Sequence, residues 1–134
     1  LMTGQPWWAD LPRDRFGDSP ALSDELIALV LSGAKTATCN ALALAEQEIM
    51  PHPGLRCVFE DGAGQPRCVV ETISVEQKRF DEVGADFAHD EGEGDRTLDY
   101  WRRVHEDYFR RNNVFAPDMI LVCERFRVVE VIAP

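Results

Sequence analysis

Residues 23–38, SDELIALVLSGAKTAT, combine the pattern of one helix with two polar residues directly after it. The apolar positions repeat at helical spacing, Ser23 can cap the first turn, and Gly33 stands where a glycine commonly ends a helix. The sequence therefore predicts a helix that begins at Ser23 and ends at Gly33. Lys35 and Thr38 follow, three residues apart. A helical turn or a tight bend would bring their side chains together, whereas a strand would separate them.

Lys35 and Thr38 are candidate catalytic residues. Lys35 is one of two lysines in a chain that otherwise uses arginine, and it lies among small residues. A desolvated lysine can lose its proton and act as a base, and a threonine hydroxyl becomes a nucleophile only beside such a base. Spacing alone favours a surface lysine after a helix and a threonine in a strand or cap.

The rest of the chain carries helix and strand patterns that predict one mixed α+β domain over residues 1–134. The predicted elements are a helix over 40–49, strands over 55–60 and 67–76 joined by a turn at 61–64, a helix capped by Thr97, and a strand over 119–132. Residues 1–19 are predicted to form an N-terminal arm packed on the domain. This order of elements predicts a small curled sheet or barrel with helices around it.

Glu71 is an acidic residue on an apolar strand face. Along the predicted strand it alternates in phase with Val69, Ile73 and Val75. A buried carboxyl must be paired or its pKa rises until it is neutral, and either state suits a group that donates or relays a proton. A structural salt bridge to an arginine fits the same position, and both interpretations stay open.

The segment 81–95 holds seven acidic residues, three glycines and no lysine or arginine. Such a composition is typical of a solvated, mobile loop. His89 and its acidic neighbours match no calcium or zinc spacing, so no metal is predicted. His105 falls on the apolar face of the helix that Thr97 caps, where a hydrogen-bonded core histidine is expected.

Charge and cysteine content indicate which binding partners and which cellular compartment to expect. The net charge of −10 repels phosphate backbones and disfavours tight binding to long nucleic acid. No apolar run approaches the roughly 18 residues that span a membrane, and residues 7–18 lack the pattern of a signal peptide. The four cysteines, at 39, 57, 68 and 123, show no metal-binding spacing. They are predicted to be buried free thiols, which places the protein in the cytoplasm.

Residues 32–38, SGAKTAT, resemble the Gly-x-Lys-x-x-Thr signature of the ASCH family. Further segments are similar to the longer bacterial members of that family, and the likeness extends over residues 16–130. These segments are FGDSP at 16–20, FDEV at 80–83, EGEGD at 91–95, the helix that contains Trp101, and VCERF at 122–126. The N-terminal arm and the long acidic segment depart from the minimal amidohydrolases of the family.

The resemblance implies a PUA-like β-barrel of five to six strands with flanking helices, and hydrolytic chemistry that needs no cofactor. Some small bacterial members are amidohydrolases that remove the acetyl group from N4-acetylcytidine with a Lys, Thr and Glu triad. Carried over to this sequence, Lys35 would be the base, Thr38 the nucleophile and Glu71 the proton donor to the leaving amine. The expected partner is a small nucleoside or modified base. The acyl group and the oligomeric state are left open.

A base-binding pocket needs an aromatic wall, for which Phe16, Tyr100 and Trp101 are candidates, and Arg125 is a further candidate for substrate binding. Two other functions stay open. One is a ribonuclease in which Lys35 stabilises the phosphorane charge and four arginines grip the strand. These arginines are Arg102, Arg103, Arg110 and Arg111. The other is a non-catalytic RNA-binding module.

Overall fold

A five-stranded mixed sheet organises the part of the chain that the computed structural model describes, residues 4–133. The strands are β1 (Arg13–Arg15), β2 (Ala37–Ala41), β3 (Arg56–Glu60), β4 (Pro66–Arg79) and β5 (Ile120–Val131). Their spatial order is β1-β3-β4-β5-β2, with β1 parallel to β3 and every other pair antiparallel. The helices are α1 (Pro20–Ser32), α2 (Leu42–Ala45), α3 (Ala85–Glu91) and α4 (Leu98–Arg111), with a single 3₁₀ turn at Phe80–Glu82. The fold is therefore α+β, as predicted.

The sheet is open, and the prediction of a closed barrel is wrong. β1 and β2 form its two edges, and no pairing joins them within residues 4–133. The register of β4 on β5 shifts at Val69/Val70 and again between Thr72 and Ser74. Such irregularities increase the local twist of a strand. The three residues of β1 pair with β3 alone.

The N-cap of helix α1 lies four residues earlier than predicted. Ser19 is its N-cap, since its hydroxyl accepts a hydrogen bond from the Leu22 amide at 3.2 Å, and Pro20 fills the first helical position. The Ser23 hydroxyl instead donates to the Phe16 carbonyl at 2.6 Å, which ties the N-terminal arm to the helix. The predicted end is confirmed, because Gly33 adopts the left-handed conformation with φ of 88°.

The helix predicted over 40–49 loses its first two residues, Asn40 and Ala41, to strand β2. Ala37–Ala41 pairs with β5, with Ala37 opposite Arg125 and Ala41 opposite Leu121. Both alanines are buried by this pairing. Only the four residues of α2 remain of the helix predicted over 40–49, and at Asn40 and Ala41 the pairing with β5 overrides local helix propensity.

Two apolar clusters support the sheet, one beneath α1 and one beneath α3 and α4. The first contains Phe16, Leu26, Ile27, Val30, Cys57, Phe59, Cys68, Val70 and Phe126. The second contains Ala41, Phe80, Val83, Ala88, Trp101, Phe109, Leu121 and Cys123. The four cysteines are free, and three of them are buried, as expected for thiols that serve packing. None of the helices within residues 4–133 is long and apolar enough to cross a membrane.

Candidate functional site

A cavity of about 200 Å³ lies between α1 and α4, and residues of β2 and β5 contribute to its lining. The N-terminal arm and the segment that follows α3 complete the wall. Polar side chains in the lining come from eight places in the sequence: Asp14 and Arg15, Lys35, Thr38 to Asn40, Glu48, Glu91 and Glu93, His105, Arg111, and Glu124. Aromatic side chains are supplied by Phe16, Phe59, Tyr108 and Phe109. The cavity thus combines charged and polar groups with aromatic sides.

Lys35 reaches this cavity because the chain after α1 is held on both sides. The Lys35 amide donates to the Leu29 carbonyl, and the Thr36 amide donates to the Asp90 carbonyl at 2.8 Å. The Phe126 amide in turn donates to the Thr36 carbonyl at 3.1 Å. Lys35 is consequently 2% exposed, so its ammonium is enclosed by protein.

Two carboxylates hold the Lys35 ammonium. Its Nζ donates to Oε1 of Glu91 at 2.9 Å and to Oε2 of Glu93 at 3.0 Å. Burial alone would lower the pKa of Lys35, but the two adjacent carboxylates outweigh burial and raise it. The geometry therefore favours a charged lysine over the neutral base considered from the sequence.

Glu91 is the most constrained of these acids. Its side chain is fully buried, and its Oε2 accepts a hydrogen bond from the Trp101 indole at 2.7 Å. Burial by itself would raise the pKa of Glu91, but the charges of Lys35 and His105 and the hydrogen bonds it accepts hold that pKa well below its usual range.

The prediction of a solvated, mobile loop over residues 81–95 is therefore wrong. The segment contains α3, whose Ala88 packs in the core and whose last residue Glu91 and C-cap Gly92 are buried. An acidic composition indicates solvation only when no buried cation pairs with the acids. Here Lys35 pairs with Glu91, although the two residues are 56 positions apart in the sequence. Nothing in the local pattern could have shown that pairing.

His105 continues the network from α4. Its ring stacks on Trp101 with centroids 4.3 Å apart, and its Nδ1 lies 2.8 Å from the Trp101 carbonyl oxygen. Its Nε2 is 3.4 Å from Oε2 of Glu91. Burial would lower the pKa of His105, but Glu91 reverses that effect and raises it. The expected hydrogen-bonded core histidine is confirmed, and it also contributes to the cavity wall.

Thr38 and Glu124 face the cavity from neighbouring strands. They are directly opposite each other in the β2–β5 register, so their side chains lie on the same face of the sheet. Oε2 of Glu124 accepts a hydrogen bond from the Thr72 hydroxyl at 2.6 Å. Burial is the main cause that raises the pKa of Glu124. Only the VCERF resemblance had drawn attention to this position, and it assigned Glu124 no role.

Glu71 does not reach the cavity. Its Oε1 accepts hydrogen bonds from Arg56 at 2.9 Å and from Arg127 at 3.2 Å, on the strands that flank β4. The hydrogen bond from Arg56 is the main cause that lowers the pKa of Glu71. The structure thus shows the salt bridge that the sequence left open as the alternative.

Of the four predicted substrate-binding residues, only Phe16 lines the cavity. Phe16 stacks on Phe59 with centroids 4.1 Å apart, and Lys35 Nζ lies 5.7 Å from the Phe16 ring centre. Trp101 lies behind Glu91 and acts on the site through it. Tyr100 is covered by Arg103, and Arg125 forms an ion pair with Asp90.

Sequence reasoning therefore missed two sets of residues that line the cavity. One set is the acids Glu91 and Glu93, and the other is the aromatic residues of α4. Glu91 and Glu93 were visible as part of EGEGD, but their composition pointed to solvent. Tyr108 shares the apolar helical face that the sequence did identify, so helical periodicity was the signal available for it.

One group of possible metal ligands occurs within residues 4–133. Ligating atoms of Cys39, Glu91 and His105 lie within 4.8 Å of one another. Lys35 already supplies the cation that balances Glu91, and burial raises the pKa of the Cys39 thiol well above its usual range. These charges favour a proton-linked network over a bound cation. His89, the residue considered for a metal from the sequence, is exposed.

Comparisons with known proteins agree with this architecture. A family model described as ASCH domain matches residues 13–130. The crystal structure of protein EF3133 from Enterococcus faecalis V583, assigned to DUF984, is 38% identical and has a TM-score of 0.82, covering 90% of this chain and 77% of that one. The crystal structure of an ASCH domain from Lactobacillus crispatus JV V101 is 34% identical with a TM-score of 0.83, covering 89% of this chain and 79% of that one. A search of curated proteins gave no significant match.

Proposed function

This chain belongs to the ASCH domain family, and on that premise we propose that it is an amidohydrolase that removes acyl groups from N4-acylated cytidine-type nucleosides. One observation carries the proposal. The Lys35 ammonium, bound by Glu91 and Glu93, lies at a cavity that Thr38 also lines. A fixed positive charge, a hydroxyl and an accessible carboxylate are the groups that acyl transfer requires.

The roles follow from charge and burial. The Thr38 hydroxyl oxygen attacks the acyl carbonyl carbon while its proton passes to the Glu93 carboxylate. Glu93 suits this role because it lines the cavity and makes its one side-chain hydrogen bond, within residues 4–133, with Lys35. The Lys35 ammonium stabilises the oxyanion that forms on the carbonyl oxygen. The resemblance assigns the role of general base to Lys35, and in this scheme Glu93 takes that role instead.

The same carboxyl completes the reaction. Glu93 returns the proton to N4 as the carbon–nitrogen bond breaks, which releases the cytidine and leaves the acyl group as an ester on Thr38. A water molecule then attacks the ester carbonyl and gives a proton to Glu93. The bond from the acyl carbon to the Thr38 oxygen breaks as Glu93 passes that proton to this oxygen, which releases the carboxylic acid and restores the hydroxyl. Glu93 in this scheme takes the place of Glu71, which lies outside the cavity.

Size and charge support a small substrate. A cavity of about 200 Å³ is smaller than the roughly 300–1,000 Å³ of typical drug-sized sites, which suits a base with part of its sugar better than a strand. The ribonuclease alternative has less support, because the net charge of −10 repels a phosphate backbone. Two of its four arginines are also engaged in ion pairs, Arg110 with Glu106 and Arg111 with Asp18.

The test is hydrolysis of N4-acetylcytidine, with conversion to cytidine followed by chromatography. Thr38→Val, which keeps the side-chain shape and removes the nucleophile, should reduce kcat to background, and Thr38→Ser should retain turnover. Glu93→Gln should lower kcat by about 10²-fold or more, as expected for loss of a general acid–base. Glu71→Gln is the matched control, and we expect it to leave kcat and KM unchanged.

Lys35→Ala is a weaker test, since removing a buried cation beside Glu91 also threatens the fold. Full activity in Thr38→Val would refute the nucleophile. No turnover in the folded parent protein, together with saturable RNA binding that weakens as salt is added, would favour the non-catalytic RNA-binding module.

A further inference from the structure

Glu124 is a second carboxyl in the cavity, and the mechanism above does not use it. Its Oε2 is held by the Thr72 hydroxyl at 2.6 Å, and Thr72 is 2% exposed. Within residues 4–133, its other oxygen, Oε1, makes no hydrogen bond with the protein. Because Thr38 lies directly opposite on β2, a ligand that places its acyl group at Thr38 also comes close to Glu124.

We propose that Glu124 selects the pyrimidine, by donating a proton from Oε1 to the N3 lone pair of a cytosine-type base. The inference rests on the proposed function for its substrate class, but it concerns recognition and needs no turnover. N3 of cytosine and of its N4-acyl derivative is an acceptor, whereas N3 of uracil carries a hydrogen. A protonated carboxyl therefore matches the first and opposes the second.

The surroundings of Glu124 raise the pKa of its carboxyl, which extends the pH range over which the group holds a proton. Burial is the largest contribution that raises its pKa, and the charge of Asp14 on the N-terminal arm adds to it. The hydrogen bond from Thr72 and the charge of Lys35 act in the opposite direction without reversing the shift. From β3, Cys57 contributes a neutral thiol, since burial raises its pKa to about 12.

The arrangement makes a sharp variant available. In Glu124→Gln the amide oxygen can take the hydrogen bond from Thr72, which turns the NH₂ group toward the cavity. The glutamine then presents a donor to N3 at every pH, whereas Glu124 does so only while protonated. Glu124→Ala removes the donor altogether.

The experiment measures binding of cytidine and of uridine by isothermal titration calorimetry from about pH 5.5 to 8.5, a range over which a carboxyl with a raised pKa can lose its proton. For the parent protein we expect cytidine to bind about tenfold more tightly than uridine at the acidic end, the effect of one hydrogen bond. This preference should fall as pH rises through the pKa of Glu124. In Glu124→Gln it should persist across the range, and in Glu124→Ala it should be absent throughout.

Several results would overturn the inference. They are equal affinity for the two nucleosides in the parent protein, binding of neither, or the same behaviour in the glutamine and alanine variants. Thermal unfolding of each variant shows whether an effect is a loss of fold. Unchanged KM for N4-acetylcytidine in Glu124→Ala would refute selection by Glu124 and leave the amidohydrolase intact. A cytidine preference without hydrolysis of N4-acetylcytidine would support selection by Glu124 and refute the amidohydrolase.

Discussion

Glu91 links three buried side chains, and its contacts explain why the site depends on it. It accepts hydrogen bonds from the Lys35 ammonium and the Trp101 indole and lies beside the His105 ring. All three of these side chains are buried. A buried ion pair adds little net stability when intact, but loss of one partner leaves an uncompensated charge. The arrangement therefore specifies one geometry for the Lys35 ammonium more than it strengthens the fold.

Glu91→Gln should accordingly lower the free energy of unfolding by about 3 kcal/mol or more, the cost of breaking a buried ion pair. Glu93→Gln is the matched control. Its side chain is 14% exposed and leaves the Glu91–Lys35 pair in place, so we expect a loss of about 1 kcal/mol. Urea denaturation at neutral pH measures both. Equal losses in the two variants would contradict the distinct position of Glu91.

His105 gives stability a pH dependence. Its folded-state pKa is raised above its unfolded value, so the charged form is favoured by folding. The resulting stability is fully present below about pH 6.5, the unfolded value, and is lost as pH rises through the folded pKa. His105→Gln should flatten this part of the profile, whereas His89→Gln, an exposed change, should keep it. An unchanged profile in His105→Gln would refute the assignment.

At the scale of elements, the contact between the end of α3 and the segment after α1 shapes the site. Gly92 has φ of 76°, and a Cβ added there would lie 2.9 Å from the Lys35 amide nitrogen. Gly92→Ala should therefore displace Lys35, reducing both stability and turnover. Gly54 has a comparable φ of 89° with open space around it, so Gly54→Ala should cost only the backbone term of about 1–2 kcal/mol. Similar unfolding free energies and activities in the two variants would show that the contact is unimportant.

The elements that local pattern specifies were predictable. Gly33 ends α1, Thr97 caps α4, and the hairpin of β3 and β4 surrounds its turn. The errors fall where distant segments decide the outcome. Pairing with β5 draws Asn40 and Ala41, the first residues of the predicted helix, into a strand, and the carbonyl of Phe16 takes the Ser23 hydroxyl away from capping.

At the scale of the whole molecule, the cavity is lined by segments that range from the N-terminal arm to β5. Local sequence patterns cannot show which of these distant segments meet. Lys35, Thr38 and Phe16 were found because a motif or an aromatic character marks them locally. Glu93 and Glu124 become meaningful only when folding places them beside Lys35 and opposite Thr38. Glu71 was chosen by strand position, and strand position does not reveal which of two partly covered faces borders a cavity.

The net charge of −10 makes a further prediction about substrates. A phosphorylated or polymeric substrate is repelled by the protein, and added salt screens that repulsion, with a Debye length of about 10 Å at 0.1 M. We therefore expect kcat/KM for an N4-acetylated oligoribonucleotide to rise as salt increases from about 20 to 200 mM, a range that shortens the screening distance severalfold. The value for neutral N4-acetylcytidine, the control, should stay constant. A fall with salt for the oligonucleotide would mean that the exposed arginines of α4 attract the strand despite the net charge, and would return support to an RNA-directed activity.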